Sequence, residues 1–146
     1  MILVGDGPCH DELISYCKNK GLSSAVMFTG NISDTERFYA KSDVYVQASY
    51  REGLPLSVLE AMAAGLPILS NDVGGLKDVV KKNGFLISDN SIDVLYDCMK
   101  RCVIEQQENL RRMGIYSKKL VEQYSSKQMG KQYMILYKKT LKEENK

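Results

Sequence analysis

The chain of 146 residues is 44% hydrophobic and 26% charged, a composition typical of a globular protein with one sizeable core. No apolar run approaches the roughly 18 residues of a membrane-spanning helix, and the start at residues 1–5 lacks the basic and apolar regions of a signal peptide. We therefore expect a cytoplasmic protein with a single domain over residues 1–146.

The small net charge of +2 conceals two regions of opposite sign. Residues 1–99 carry 8 basic and 13 acidic side chains, a net of −5, whereas residues 100–146 carry 12 and 5, a net of +7. The basic tail has helical patterning, and two interpretations stay open: a solvated helix face, or contact with an anionic membrane surface or an anionic substrate. In the membrane case the protein would be peripheral at the inner face.

Two strand–helix pairs are predicted in the first 41 residues: a strand at Ile2–Gly5 with a helix that ends before Gly21, and a strand at Ala25–Thr29 with a short helix that ends at Lys41. Ser33 and Glu36 have the spacing of a capping box, which predicts the start of the second helix. Glycine-rich turns end both strands, at residues 5–8 and 30–31.

A third strand is predicted at Val44–Ala48, followed by a loop and a helix that begins at Pro55 and ends at Gly65. Proline in the first turn and glycine just past the last turn are the usual residues of helix ends. The remaining elements are predicted in this order: a strand at Pro67–Ser70, a helix from Gly74 to Val80, a strand at Gly84–Ile87, a helix capped by Ser91 that runs through Cys102, and two C-terminal helical segments.

Strands that alternate with helices through short connections predict a Rossmann-like α/β fold: a doubly wound parallel sheet with helices on both faces, followed by C-terminal helices. The continuous apolar strand from Tyr45 to Ala48 suits a sheet that is covered on both faces. In such sheets ligands bind beyond the carboxyl ends of the strands, where loops meet helix N-termini. We therefore expect the functional site in the loops that follow the strands.

The most informative of these loops, with its helix, spans residues 49–65 and is called the Glu52–Glu60 corner below. Gly53 lets the backbone approach a ligand closely, and the N–H groups near Leu56, at the helix start, form an anion site that suits a diphosphate. Glu52 and Glu60 would repel a phosphate, but each carboxylate can accept hydrogen bonds from a pair of sugar hydroxyls. The alternative is that both are ordinary surface carboxylates.

Glu52 and Glu60 are separated by seven residues, and the run EGLPLSVLEAMAAGLPI resembles the Glu-x7-Glu signature of retaining GT-B glycosyltransferases of family 4. Further stretches resemble motifs of that family in the same order: VGDGP at residues 4–8, VxFxG at 26–30, SDVYV at 42–46, the glycine pair at 74–75, and the terminal segments at 112–114, 124–125 and 137. On this basis the chain is identified as the C-terminal, nucleotide-sugar-binding domain of such an enzyme.

The resemblance implies that Glu52 contacts hydroxyls of the transferred sugar as the catalytic residue, and that Glu60 holds the ribose hydroxyls. It implies donor contacts for Gly5, Asp6, Phe28, Gly30, Asn31, Gly53, Leu54, Leu56, Ser57 and Glu60. Residues 53–57 would lie along the diphosphate, mostly through backbone N–H groups, and the turn at residues 28–31 would border the base. Arg51 is either a phosphate partner or a solvated loop cation.

The resemblance also implies the ligands: a nucleotide-diphosphate sugar such as a UDP- or GDP-sugar as donor, and a growing glycan or lipid-linked glycan as acceptor. It implies no cofactor and no bound metal, and no nucleic-acid partner is expected. The four cysteines and the single histidine also lack the closely placed ligand set of a zinc site. His10 has no evident serine or cysteine partner, so we expect it to be an exposed helix residue.

The sequence departs from the family pattern both at single residues and by an absent segment. Ala48 stands where proline usually precedes the serine, and Pro55 stands where many members have glycine. More importantly, the family has a strand and helix before the VGDGP strand, with an arginine and a lysine that clamp the diphosphate, and an acceptor-binding N-terminal domain before them. We therefore expect a truncated or split chain, in which the strands at Leu3 and Tyr45 either pair directly or take a partner strand between them.

Two functions from different classes stay open. The first is the donor-binding domain of a retaining hexosyltransferase, which would be inactive without the missing half. The second is a non-catalytic module that binds a nucleotide or another chain without turnover. A sugar-nucleotide epimerase of similar architecture is a third interpretation, but the Glu-x7-Glu run suits it poorly.

Overall fold

A computed structural model describes residues 1–89 and 91–144, without the side chains of residues 142–144. The strands are Ile2–Leu3 (β1), Met27–Phe28 (β2), Tyr45–Gln47 (β3), Ile68–Asn71 (β4) and Gly84–Ile87 (β5). The α-helices are His10–Asn19 (α1), Glu36–Tyr39 (α2), Leu56–Ala64 (α3), Leu76–Val79 (α4), Ile92–Ile104 (α5), Gln107–Val121 (α6) and Ser126–Glu144 (α7). A short 3₁₀ turn, Glu122–Tyr124, joins α6 to α7.

The predicted order of strands and helices is confirmed, and local sequence signals explain several helix ends. Pro55 is the N-cap of α3, and Gly65 ends it in the left-handed conformation with φ 89°. Such a conformation is costly for residues with a Cβ, which explains the glycine. Ser91 caps α5 as predicted, because its Oγ accepts the Val94 N–H at 3.4 Å.

One predicted helix start is wrong. Helix α2 begins at Glu36 with Thr35 as its N-cap, and no side chain makes a capping hydrogen bond there. A capping box needs the glutamate at the third helical position, but the late start puts Glu36 at the first. Ser33 therefore lies before the helix and does not cap it.

The chain divides into two compact units, Met1–Lys41 and Ser42–Lys146. In the first unit β1 and β2 pair in parallel; in the second, β3, β4 and β5 form a parallel sheet in that order. Within the described residues β1 has its ladder with β2, and β3 has its ladder with β4. Direct pairing of the strands at Leu3 and Tyr45, a partner strand between them, and a single domain all stay predictions.

Helices cover both faces of the sheet in the second unit. Tyr45 and Ile68 are register partners and share one face, on which the Tyr45 hydroxyl lies 2.9 Å from Ser57 Oγ of α3. Leu69 points to the opposite face, where it packs in a cluster with Cys102 of α5. The predicted α/β fold with parallel strands between helices is confirmed.

The apolar core belongs to the second unit. Its fully buried apolar side chains are Val58, Ala61, Met62, Ile68, Leu69, Leu76 and Val79. Burial of each larger one stabilises the fold by about 1.5–3 kcal/mol. Helix α6 packs closely against the C-terminal end of α3. The buried Ser117 hydroxyl of α6 donates to the Leu66 carbonyl at 2.7 Å, and a Cβ at Gly114 would overlap the Gly65 carbonyl.

The last helix has a different character. Every side chain of α7 that the structure describes, at residues 126–141, is exposed. Within the described parts of the chain, no helix combines the length and apolar character that a bilayer crossing requires.

Candidate functional site

The Glu52–Glu60 corner lies directly after β3 and turns into α3. Pro55 has extended backbone, with ψ 133°, and directs the chain into the helix. No side chain caps the start of α3, and its first turn holds no acidic residue. The first-turn N–H groups and the positive end of the helix dipole therefore suit an anionic ligand.

Glu52 is held by two neighbouring side chains. Its Oε1 accepts hydrogen bonds from Gln47 Nε2 at 2.9 Å and from Ser49 Oγ at 2.7 Å. Gln47 Nε2 also donates to Ser49 Oγ at 2.8 Å. The carboxylate is half-buried and fixed in orientation, and both described donors reach the same oxygen. Part of its hydrogen-bonding capacity is therefore used by the protein itself.

The Tyr45 hydroxyl, at the base of the corner, has a raised pKa. Burial raises the pKa of Tyr45, the hydrogen bond with Ser57 lowers it, and the negative charges of Glu52 and Glu60 raise it further. Glu60 is exposed, one turn into α3, whereas Glu52 is half-buried in the loop.

Backbone contacts fix the loop that carries Glu52. The Ser49 N–H donates to Asn71 Oδ1 at 3.1 Å, and the Gly75 N–H donates to the Gly53 carbonyl at 2.7 Å. Gly74 has φ 54°, and a Cβ at this position would overlap the Glu52 carbonyl. The glycine pair after β4 is thus needed for close approach to the loop.

The other predicted residues of the corner differ in exposure. Gly53 and Leu56 are exposed, Leu56 by 74%, whereas Leu54 and Ser57 are half-buried. Open space surrounds Gly53 on its Cβ side, which leaves its backbone accessible to a ligand. The structure thus brings Ser57 to Tyr45 and links Glu52 to Tyr45 through Gln47, whereas Glu60, Gly53 and Leu56 are exposed.

The remaining predicted site residues lie in the first unit, at the carboxyl ends of β1 and β2. The Gly5 N–H donates to the Gly30 carbonyl at 3.0 Å, which joins the two glycine turns. A cavity of about 310 Å³ has Gly5, Asp6 and Phe28 in its lining. Asp6 Oδ1 accepts the Gly7 N–H at 2.7 Å, so this carboxylate stabilises its own turn. Asn31 is exposed.

His10 is not the exposed helix residue that the sequence predicts. Its side chain is 27% exposed, and its ring packs edge-on against Phe28 with 5.8 Å between centroids. Its Nε2 is buried and has no hydrogen-bond partner within the described part of the chain. The helical pattern could not predict this burial, because Phe28 follows 18 residues later in the chain.

Sequence reasoning missed the side chains that hold Glu52. Tyr45, Gln47 and Ser49 alternate along β3 and its exit, so their side chains share one face and meet the corner. The strand was expected to be apolar throughout, but its Tyr45 and Gln47 side chains carry the polar network, and Val46 is 38% exposed. Polar side chains at every second position of this segment are the sequence signal that could have predicted a polar face beside Glu52.

No group of three or more histidine, cysteine, aspartate or glutamate side chains that could hold a metal occurs among the described residues. The four cysteines are free thiols, and only Cys102 is buried.

Comparison with known proteins identifies the family. The sequence model of the protein family described as glycosyl transferases group 1 matches residues 1–120. The chain belongs to this family. This group 1 glycosyltransferase chain is 30% identical over 155 aligned residues to N-acetyl-alpha-D-glucosaminyl L-malate synthase of Bacillus anthracis, across 99% of the chain and 38% of the relative.

Two further matches are informative. UDP-Gal:alpha-D-GlcNAc-diphosphoundecaprenol alpha-1,3-galactosyltransferase of Escherichia coli is 32% identical over 112 residues, 75% of the chain and 29% of the relative. The structure of the pneumococcal O-GlcNAc transferase GtfA in complex with UDP and GlcNAc matches with a TM-score of 0.78 and 25% identity, over 96% of the chain and 29% of GtfA. The chain thus spans well under half the length of these relatives, and its Rossmann-like fold is that of GT-B glycosyltransferases.

Proposed function

We propose that this group 1 glycosyltransferase chain binds a nucleotide-diphosphate sugar at the Glu52–Glu60 corner and serves as the donor domain of a retaining, family 4 type hexosyltransferase. A UDP- or GDP-sugar is the donor, and a glycan or lipid-linked glycan is the acceptor. An acceptor-binding domain outside these 146 residues completes the enzyme.

The observation that carries the proposal is the position of two carboxylates beside an uncapped helix start. Glu52 lies in the loop before α3, where Gln47 and Ser49 hold it, and Glu60 lies one turn into the helix, whose first turn has no acidic residue. A diphosphate fits the helix start, and hydroxyls of the two sugars fit the carboxylates on either side. The distribution of charge therefore matches a ligand that is anionic in the middle and rich in hydroxyls at both ends.

The comparisons support the choice of ligand. GtfA was solved with UDP and GlcNAc, and the Escherichia coli relative is described as using UDP-Gal and a diphosphoundecaprenol-linked acceptor. These descriptions belong to those proteins. For this chain they favour a nucleotide-sugar donor and a lipid-linked acceptor.

In the proposed reaction the bond between the anomeric carbon and the diphosphate oxygen breaks. Negative charge grows on the leaving diphosphate, and the N-terminus of α3 and the adjacent N–H groups stabilise it without reorganisation. Glu52 orients the transferred sugar through its hydroxyls, and Glu60 fixes the ribose. The acceptor hydroxyl forms the new glycosidic bond on the same face of the anomeric carbon, its proton passes to the departing diphosphate, and no metal ion is needed.

Calorimetric titration with UDP, GDP and their hexose derivatives tests donor binding. We expect one diphosphate to bind, and Glu60→Gln to weaken it roughly tenfold or more, since a hydrogen bond to a charged group contributes about 1.5–3 kcal/mol. Glu108→Gln is the matched control, because it changes an exposed helix glutamate outside the corner. Absence of binding by the wild-type chain would refute the proposal, and unchanged binding by Glu60→Gln would refute the role of Glu60.

Two further experiments test whether donor binding needs a metal and whether the sugar is transferred. Titration in EDTA is expected to give the same affinity, because the helix start and not a metal neutralises the diphosphate. Transfer to a lipid-linked acceptor is expected once an acceptor domain is supplied, and NMR of the product should show the anomeric configuration of the donor. Inverted product would rule out retention, and binding without transfer would favour a non-catalytic nucleotide-binding module.

We also propose that the protein is cytoplasmic and makes peripheral contact with an anionic membrane through α7. Exposed apolar side chains recur at helical spacing on this helix: Met129, Tyr133, Leu136, Tyr137 and Leu141. Lys127, Lys131 and Lys138 form a second stripe, and residues 126–141, the part of α7 whose side chains the structure describes, include no acidic residue. Apolar and tyrosine side chains beside lysines are typical of helices that lie in the interface of anionic bilayers.

Sedimentation with phosphatidylserine-containing and purely phosphatidylcholine vesicles tests this contact. Replacing the three stripe lysines by glutamine should weaken binding to the anionic vesicles roughly 100-fold, at about 1 kcal/mol for each lysine. The control changes Lys18, Lys81 and Lys82 to glutamine, which removes the same charge from exposed positions outside α7. Equal loss in both triple variants, or no binding of the wild type, would contradict the contact.

A further inference from the structure

The side chain of Gln47 connects Tyr45 to Glu52. Its Oε1 accepts the Tyr45 hydroxyl at 2.6 Å, and its Nε2 donates to Glu52 Oε1 at 2.9 Å. The Tyr45 hydroxyl also lies 2.9 Å from Ser57 Oγ. These contacts form a continuous chain of hydrogen bonds from the first turn of α3 to the carboxylate in the loop.

The donor and acceptor of each hydrogen bond in this series follow from the chemistry of Glu52. An ionised carboxylate only accepts hydrogen bonds, so the amide nitrogen of Gln47 must face Glu52 and the amide oxygen must face Tyr45. Tyr45 has a single hydroxyl proton, which it gives to Gln47. The contact between Ser57 and Tyr45 therefore has Ser57 as donor, in agreement with the lowering effect of Ser57 on the Tyr45 pKa.

Gln47 and the loop that carries Glu52 are both anchored to the sheet. Gln47 belongs to β3 and is the register partner of the buried Ser70 in the central strand β4. The loop that carries Glu52 is tied to β4 as well, through the bond between the Ser49 N–H and Asn71. Gln47 and Glu52 are thus held by the same rigid strand pair, and rotation of the Glu52 carboxylate would break two hydrogen bonds to Oε1.

We propose that Gln47, held by Tyr45, is a positioning residue that orients Glu52 for the transferred sugar and so determines how much the sugar adds to donor affinity. This inference rests on the proposed function. Gln47 and Ser49 both donate to Oε1, so Oε2 is the oxygen assigned to accept from a sugar hydroxyl. Glu60 and the helix start bind the nucleoside diphosphate independently of this arrangement.

The test compares the affinities for UDP and for the UDP-hexose that binds best, or the GDP pair if guanine is preferred. Their ratio measures the contribution of the sugar. Gln47→Leu has nearly the same volume and makes neither hydrogen bond, so the ratio should fall about tenfold while the affinity for the diphosphate changes less than twofold. Tyr45→Phe leaves the bond from Gln47 to Glu52 in place, and a smaller fall of about threefold is expected. Gln123→Leu, at an exposed position, should match the wild type.

Each outcome decides one point. Loss of the sugar contribution alone supports the inference, because a general loss of folding would weaken both ligands equally. Equal weakening of both ligands, or a ratio that stays at the wild-type value, overturns it. Failure of the proposed function is visible separately, since the wild-type chain would then bind neither UDP nor GDP.

Discussion

The two compact units of this chain repeat the same strand–helix pattern, yet only the second builds a core. In Met1–Lys41 no described side chain of a strand or helix is buried, and Leu13 and Met27 are 46% and 55% exposed. In the second unit a single helix, α3, already contributes three fully buried side chains, Val58, Ala61 and Met62. A core forms where a three-stranded sheet has helices on both faces, whereas a pair of two-residue strands with short helices leaves its apolar side chains accessible.

The largest predicted effect compares two apolar side chains in helices of the two units. Met62→Ala should lower the free energy of unfolding by about 2–5 kcal/mol, because it empties a fully enclosed site. Leu13→Ala should cost less than about 1 kcal/mol, since nearly half of that side chain already contacts water. Urea unfolding of both variants measures the difference. Similar losses would contradict the contrast between the units.

A second pair compares hydroxyl groups that donate to backbone carbonyls. Ser117→Ala should cost about 1–3 kcal/mol, because it leaves the buried Leu66 carbonyl without its 2.7 Å hydrogen bond where α6 meets α3. Thr29→Val removes the bond to the Gly30 carbonyl at 3.0 Å in the first unit, at a half-buried position that water can reach. We expect about 1 kcal/mol or less. A larger loss for Thr29→Val, again by urea unfolding, would reverse the comparison.

Helix starts offer a third pair. Ser91→Ala removes the side-chain cap of α5 and should cost about 1 kcal/mol. Thr35→Ala changes the N-cap of α2, which makes no capping hydrogen bond, and should cost only a few tenths. Thermal unfolding at matched protein concentration checks both. If Thr35→Ala is the more costly change, the structural difference between these two helix starts is wrong.

The features that sequence predicted correctly have short-range causes. Pro55 and Gly65 fix the ends of α3 through backbone conformation, and the serine at 91 needs only an N–H three residues away. The capping box predicted at Ser33 and Glu36 is equally local, but it is wrong. The helix begins only at Glu36, so the two side chains do not have the positions that a capping box requires. A local pattern therefore predicted that a helix follows, but not which residue starts it.

The loop-to-helix corner after β3 was predicted from the sequence, whereas the side chains that hold Glu52 were not. The loop after β3, with Glu52 before and Glu60 inside the helix, is visible as spacing in the sequence. The role of Gln47 depends on its rotamer and on the path of a loop that is tied to β4, which spacing does not determine. The burial of His10 against Phe28 is a similar case, since it depends on packing between separate elements.

The smallest predicted effect concerns alkaline pH and Tyr45 in the second unit. Burial and the two carboxylates raise the pKa of Tyr45, with only the hydrogen bond from Ser57 acting against them. A tyrosine whose pKa is raised on folding binds its proton more tightly in the folded than in the unfolded state. Its contribution to stability is therefore complete below the unfolded value of 10.0 and is lost as pH rises through the folded pKa.

Tyr45→Phe removes this titration, so the free energy of unfolding of the variant should decline less steeply above pH 10 than that of the wild type. Thr29→Val is the control, because it removes a hydroxyl of the first unit that does not titrate, and its decline should run parallel to the wild type. Unfolding in urea at intervals from pH 8 to 11 gives both curves. Parallel curves for all three proteins would mean that folding does not raise the pKa of Tyr45, which would contradict its partial burial beside Ser57 and Gln47.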